Sequence, residues 1–296
     1  MNIKRLETSR LFHRFGFGPR PGEYAQAIKD GVNVTRTKLT IAPAVQTTIS
    51  PVVTPEITDL GKRPEPNSKE IVPFAIAMRA QEQQLGLWWL DLMALSDHGL
   101  TEKMTWFWHG HWATSIQKLN YPLPMFNQNK TLRTQSLGSF NSMVKAMLND
   151  GALQFWLDGQ DSTSKAPNEN LGRELMELFV LGVNRYTEDD VKAISRALTG
   201  YQVVRSTGQV SINPSRRDTK PVTLLGTTAS FTGDSLSDFL VAREDCAQFI
   251  SERLWYRFIS STEDMPASFS AKSAFASRDI ATAVKAMAAD ASMRNE

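Results

Sequence analysis

The chain has 296 residues, enough for one large domain or two small ones around a substantial core. Hydrophobic residues make up 41% and charged residues 22%, a globular composition that argues against wholesale disorder, and 33 basic against 31 acidic residues leave a charge too balanced for a dominant nucleic-acid footprint. Cys246 is the one cysteine, which excludes an internal disulfide framework and a multi-cysteine zinc site, and no run of 18 apolar residues predicts a membrane span.

The first ten residues, MNIKRLETSR, are charged throughout and lack the apolar stretch of a secretory signal. This reads as a cytoplasmic protein, or as an exported one whose signal has been removed. A short helix is predicted over residues 3–15, broken by Gly16, Gly18, Pro19 and Pro21. A second starts near Pro21 and ends before Gly31. Gly16-Phe17-Gly18 lacks the spacing of a phosphate loop and follows no strand. Residues 33–73 hold six of the 14 prolines (Pro43, Pro51, Pro55, Pro64, Pro66 and Pro73) and read as a surface excursion that resists helix.

From Phe74 to about Phe258 the pattern is mainly helical. A long helix covers residues 74–95. Thr101 is a predicted N-cap for a helix whose face carries Met104, Trp108, His111 and Trp112. Residues 133–149 form the next, closed by Gly151. Residues 200–235 break the rhythm with short β-prone runs at 202–204, 210–212 and 222–225, which predict a small hairpin or flap near residues 201–226. Helix returns over residues 237–258 and 278–294. The fold class expected is mainly α: one helical domain over residues 1–296, with the excursion and the flap as its irregular parts.

Residues 167–182 carry the strongest pattern. Leu171, Leu175, Leu178 and Phe179 share one helical face, while Glu169, Arg173 and Glu177 form another stripe with Glu174 between the two. Gly182 supplies a stop, and Thr187 with Asp190 has the spacing of a capping box that opens the next helix. A salt-bridged surface accounts for the stripe at about 0.2–0.5 kcal/mol per pair, Glu169 with Arg173 and Arg173 with Glu177. The sharper reading turns the carboxylates toward a pocket as acid, base or metal ligand beside an arginine.

Five of the seven tryptophans lie within residues 88–112, around His109-Gly110-His111. A His-x-His element chelates one metal from an extended backbone, but on a helix the two imidazoles diverge by about 200°. A core His111 packed among tryptophans, with His109 facing solvent or another helix, is the plain alternative. A divalent metal shared by His109, His111 and Glu174 or its neighbours suits the donor types. Non-covalent haem is a weaker expectation, since no Cys-x-x-Cys-His attachment motif occurs.

Three stretches together resemble the DUF1800 family, whose function is uncharacterised. They are Leu11-Phe12-His13-Arg14-Phe15-Gly16-Phe17-Gly18-Pro19; Phe107-Trp108-His109-Gly110-His111-Trp112; and residues 167–182 with Tyr186-Thr187-Glu188-Asp189-Asp190-Val191. Ala193-Ile194-Ser195-Arg196-Ala197-Leu198-Thr199-Gly200 fits as well, so the resemblance spans almost the whole chain. It implies a His-Asp pair before the flap, where this sequence has Arg217-Asp218-Thr219-Lys220 ahead of Leu225-Gly226. It also implies a longer carboxy-terminal region, so that a chain ending at Glu296 reads as a shortened form, and export in many relatives.

The function expected is an enzyme of unidentified substrate whose site joins His109 or His111 with Glu169, Arg173, Glu174 and Glu177. In it a carboxylate is the base, Arg173 binds an anion or fixes the carboxylate, and a histidine moves protons or holds metal. The alternatives are a non-catalytic helical scaffold or partner-binding protein, and a metal or haem protein. No nucleic-acid partner is expected.

Overall fold

The computed structural model describes residues 3–41 and 52–294. Helices α1 (Ile3–Arg14), α2 (Glu23–Asp30) and α3 (Val32–Thr40) form the amino-terminal layer. The third overturns part of the excursion reading. Residues 32–40 contain no proline, and Thr35 and Thr40 are buried, so packing outweighs the poor helix propensity of Val and Thr. Pro43 and Pro51 lie outside the described residues, and residues 52–70 carry no regular helix or strand, as expected of the excursion.

Helix α4 (Ile71–Leu95) leads to α5 (Gly99–Trp112), which begins two residues before the predicted cap at Thr101. After the one-turn α6 (Ile116–Leu119) come α7 (Pro122–Gln135) and α8 (Phe140–Leu148), so the helix expected over 133–149 is broken at 136–139. The break has a tertiary cause. Phe140 N–H donates to the Arg278 carbonyl at 2.8 Å, and Ile280 N–H donates to the Gly138 carbonyl at 2.9 Å. Backbone groups that would have continued the helix are satisfied by a segment 140 residues away in sequence. Ser139 then caps α8 through the Ser142 N–H.

Helix α9 (Gly151–Trp156) is followed by α10 (Glu169–Glu174), which runs straight into a π-helical turn over Leu175–Val180 and stops at Gly182, φ 93°. Helix α11 (Glu188–Ala197) opens with the predicted capping box. The flap consists of two antiparallel hairpins, β1 (Tyr201–Val204) with β2 (Gln209–Ile212) and β3 (Val222–Leu224) with β4 (Thr227–Ala229). Helices α12 (Gly233–Ala242) and α13 (Glu244–Phe258) replace the single helix expected over 237–258. Arg278 occupies that corner, donating to the carbonyls of Val241, Ala242 and Arg243. The chain closes with α14 (Ser270–Ala274) and α15 (Ile280–Ala289).

The fold is therefore mainly α with a small hairpin region. One large core joins Trp108, Trp112, Phe140, Leu175, Phe179, Ile194, Leu240 and Ile250. Each such side chain contributes about 1.5–3 kcal/mol by leaving water. This core holds α5, the π turn and α13 against one another, and the functional candidates sit where those three elements meet.

Candidate functional site

Helix α5 is fixed from below by a buried ion pair. Arg133 of α7 donates to both oxygens of Glu102, Nε at 2.6 Å and an Nη at 2.9 Å, and its guanidinium lies 4.8 Å from the Trp88 ring. One face of α5 then buries Met104, Trp108, His111 and Trp112, as its spacing predicts. His111 stands among Phe107, Trp108, Phe179 and Phe249 with ring centroids 5.4–6.3 Å away. Its Nε2 lies 2.9 Å from the Phe179 carbonyl oxygen. A carbonyl only accepts, so Nε2 carries the hydrogen and Nδ1 presents a bare lone pair. That Nδ1 is buried and has no hydrogen-bond partner among the described residues. Burial, opposed by the Phe179 bond and reinforced by the charge of Arg253, pushes the imidazole down to about 3. His111 is neutral near pH 7.

The Phe179 carbonyl belongs to the π turn. There the Leu181 N–H reaches back five residues to the Met176 carbonyl at 2.8 Å, and the Gly182 N–H reaches the same oxygen at 3.0 Å. The extra residue leaves the next carbonyls short of donors, and His111 serves one of them. Gly182 must be glycine: its φ is positive, and a Cβ there would meet the Phe249 ring at 2.8 Å. Glu177 lies in the same turn and accepts a hydrogen bond from the Tyr186 hydroxyl. Burial, then the bond to Glu177, pushes the phenol up to about 12, so it stays a donor.

Two adjoining hollows share Gly110, His111 and Arg253. One, about 350 Å³, is walled by Glu177, Val183, Arg185, Phe249 and Glu252 among others. The second, about 300 Å³, is walled by Trp106, Phe107, His109, Tyr256 and Arg257. His109 sits edge-to-face on Trp89, centroids 5.0 Å apart, and burial lowers its pKa. Three of the six expected residues, His109, His111 and Glu177, thus line contiguous space.

Glu169, Arg173 and Glu174 line neither hollow. Arg173 binds Glu188 through two bonds of 2.7 and 2.8 Å and Glu169 at 3.3 Å, forming a surface network. The expected Arg173–Glu177 pair is replaced by Glu177 with Tyr186, because the next helix presents Glu188 to the guanidinium. Glu174 is half-buried, its carboxyl pushed up by burial and by Glu177 against the pull of Arg173. Among the described residues no group of three or more His, Cys, Asp or Glu is placed to hold an ion. Arg217, where a histidine was expected, donates to the Phe231 carbonyl at 3.1 Å, and Asp218 pairs with Arg196 at 2.8 Å.

Arg253, Tyr256 and Arg257 were not singled out in the sequence. Arg253 and Arg257 stand one turn apart on a helix the sequence does predict, with no acid at matching spacing, and that was the available signal.

The fold and these hollows define a mainly helical protein with a small-molecule-sized cleft beside a buried neutral histidine. No helix among the described residues is long and apolar enough to cross a membrane. The chain belongs to the family described as "Protein of unknown function (DUF1800)", which matches residues 10–296. No curated protein and no solved structure matches it.

Proposed function

We propose that the protein is an enzyme that transfers a proton on a small polar substrate held between His111 and Glu177. The observation that carries this reading is that His111, whose buried Nδ1 has no donor among the described residues, lines a hollow that Glu177 also lines. An acceptor held dry without a donor costs on the order of 1–3 kcal/mol, which a substrate O–H or N–H would recover. His111 is too weak a base near neutral pH to remove a proton itself, and its role is to orient the donor. Glu177, held by the Tyr186 hydroxyl, is the acid–base carboxylate. Its charge raises the neighbouring Glu174 carboxyl, and Arg173 lies further out, lowering both Glu174 and Tyr186.

The test is a panel of chromogenic ester, glycoside and phosphate substrates, with and without added divalent metal, applied to the wild type, Glu177→Gln and His111→Gln. Turnover found in the wild type should fall about 10²–10⁴-fold in Glu177→Gln, with the melting temperature nearly unchanged. Activity that survives Glu177→Gln sinks the assignment. The second reading is a helical partner-binding protein, which one observation favours: α4 exposes Val72, Ile76, Leu87 and Leu90 at 61–66%. Silence across the panel favours it.

A further inference from the structure

The hollow on the Trp106 side of His111 is not used by the reading above, and its chemistry differs. Its wall contains two guanidinium side chains, Arg253 and Arg257, and no carboxylate. Among the described residues neither arginine makes an ion pair or a hydrogen bond, although most other surface arginines of this chain do. Arg257 lies over the Trp106 ring at 3.8 Å. Lys103 approaches the same ring at 5.3 Å, likewise without an acid. Burial and the charge of Arg257 both lower the pKa of Lys103.

Two cations thus flank one indole, and Arg253 lines the same hollow, whose wall contains no acid. Arg253 and Arg257 are also i,i+4 neighbours on α13, a like-charge spacing that costs a few tenths of a kcal/mol, about 0.2–0.5. The negative end of the α13 dipole accounts for a cation at Arg257, in the last turn, but not at Arg253, further back. The same wall includes the aromatic side chains of Trp106, Phe107 and Tyr256. At about 300 Å³ the hollow is at the small end for organic ligands.

We propose that this hollow is a phosphoryl-binding subsite, in which Arg253 and Arg257 hold the anion and Trp106 and Tyr256 flank an aromatic or otherwise flat organic body. A dianionic phosphoryl group balances paired guanidinium charges better than a monoanion and accepts their planar donors bidentately. A flat body recovers the apolar surface of the ring wall. This goes beyond the acid–base reading and does not need it: the two hollows share Gly110, His111 and Arg253, but the anion is held by Arg253 and Arg257, neither of which that reading uses.

The experiment is calorimetric titration of the full chain at low ionic strength with inorganic phosphate and with phenyl phosphate, tryptophan emission being followed in parallel. The expected result is one-to-one saturation by both, with phenyl phosphate tighter and both weakened by added salt. Arg253→Gln and Arg257→Gln should each weaken phenyl phosphate at least about tenfold, the scale of one lost charge-assisted contact. Both arginines are exposed, so the variants should keep the wild-type melting temperature. Arg205→Gln, at a distant surface arginine that donates to the Lys118 and Leu119 carbonyls, should leave affinity unchanged. The proposal is overturned by no saturation with either anion, by affinity that persists in both α13 variants, or by equal weakening in Arg205→Gln. Glu177→Gln should bind phenyl phosphate as the wild type does, so the failure of one reading is separable from the failure of the other.

Discussion

At the scale of single residues, burial sets the protonation states, and two of them oppose each other with pH. Asp150 is buried as the N-cap of α9, accepting from the Leu153 N–H and from the Gln128 amide. Burial, against those hydrogen bonds, pushes its carboxyl up to about 6 from 3.8. A carboxyl raised on folding binds its proton more tightly in the native state. It therefore destabilises the fold above about pH 6, and that penalty disappears as pH falls below 3.8. His111 has the reverse sign, since its neutral form is native. Its contribution is whole above 6.5 and is lost as pH falls toward 3. Asp150→Asn keeps an acceptor for both donors and the capping geometry. Urea unfolding should show it more stable than the wild type by on the order of 2–3 kcal/mol at pH 8 and nearly equal at pH 3.5, with the His111 contribution cancelling in the comparison. A constant difference at both pH values would show that the Asp150 charge is not the cause. At this scale the sequence placed His109 and His111 on one helix, which the structure shows. It could not show that Nε2 is committed to a carbonyl 68 residues away, because that depends on which helix end meets α5.

At the scale of elements, the caps and stops were legible because they are local chemistry. Thr187 with Asp190, Gly182 and the hairpin punctuation all act within a few residues of themselves. Other features were not legible. The breaks at 136–139 and 243 come from groups far along the chain, Arg278 among them, and the π turn carries no mark in the side-chain spacing. The ion pair of Glu102 and Arg133 was also invisible, since charges 31 residues apart carry no periodic signature. Its burial makes it unlike the Arg173 network. Arg133→Met should cost about 3–5 kcal/mol in chemical denaturation, because it strands a carboxylate in the core. Glu169→Gln should cost less than about 0.5 kcal/mol, since water screens that pair. Equal losses in the two variants would contradict this ranking.

At the scale of the whole molecule, the β1–β2 hairpin closes against the start of α9. A Cβ built on Gly151 would stand 2.1 Å from the Gly208 carbonyl oxygen, and one on Gly208 would meet Pro124 at 3.0 Å. Gly151→Ala should therefore lower stability by about 1–3 kcal/mol or more, read by thermal and urea unfolding, although alanine is the better helix former. A neutral or stabilising result would mean that the hairpin does not rest there. The mainly helical class, the family, the inward face of α5 and the capped corner between α10 and α11 are all readable along the chain. Those follow from side-chain spacing and turn chemistry, which act locally. Helix packing sets the rest: Glu177 shares a hollow with His111 while Arg173 and Glu169 turn to the surface, and Arg253 and Arg257 line one hollow with Trp106. A stripe spaced by four says which residues lie together on a helix. Which of them face a cavity is set by the packing of other helices, whose contacts leave no mark on the spacing.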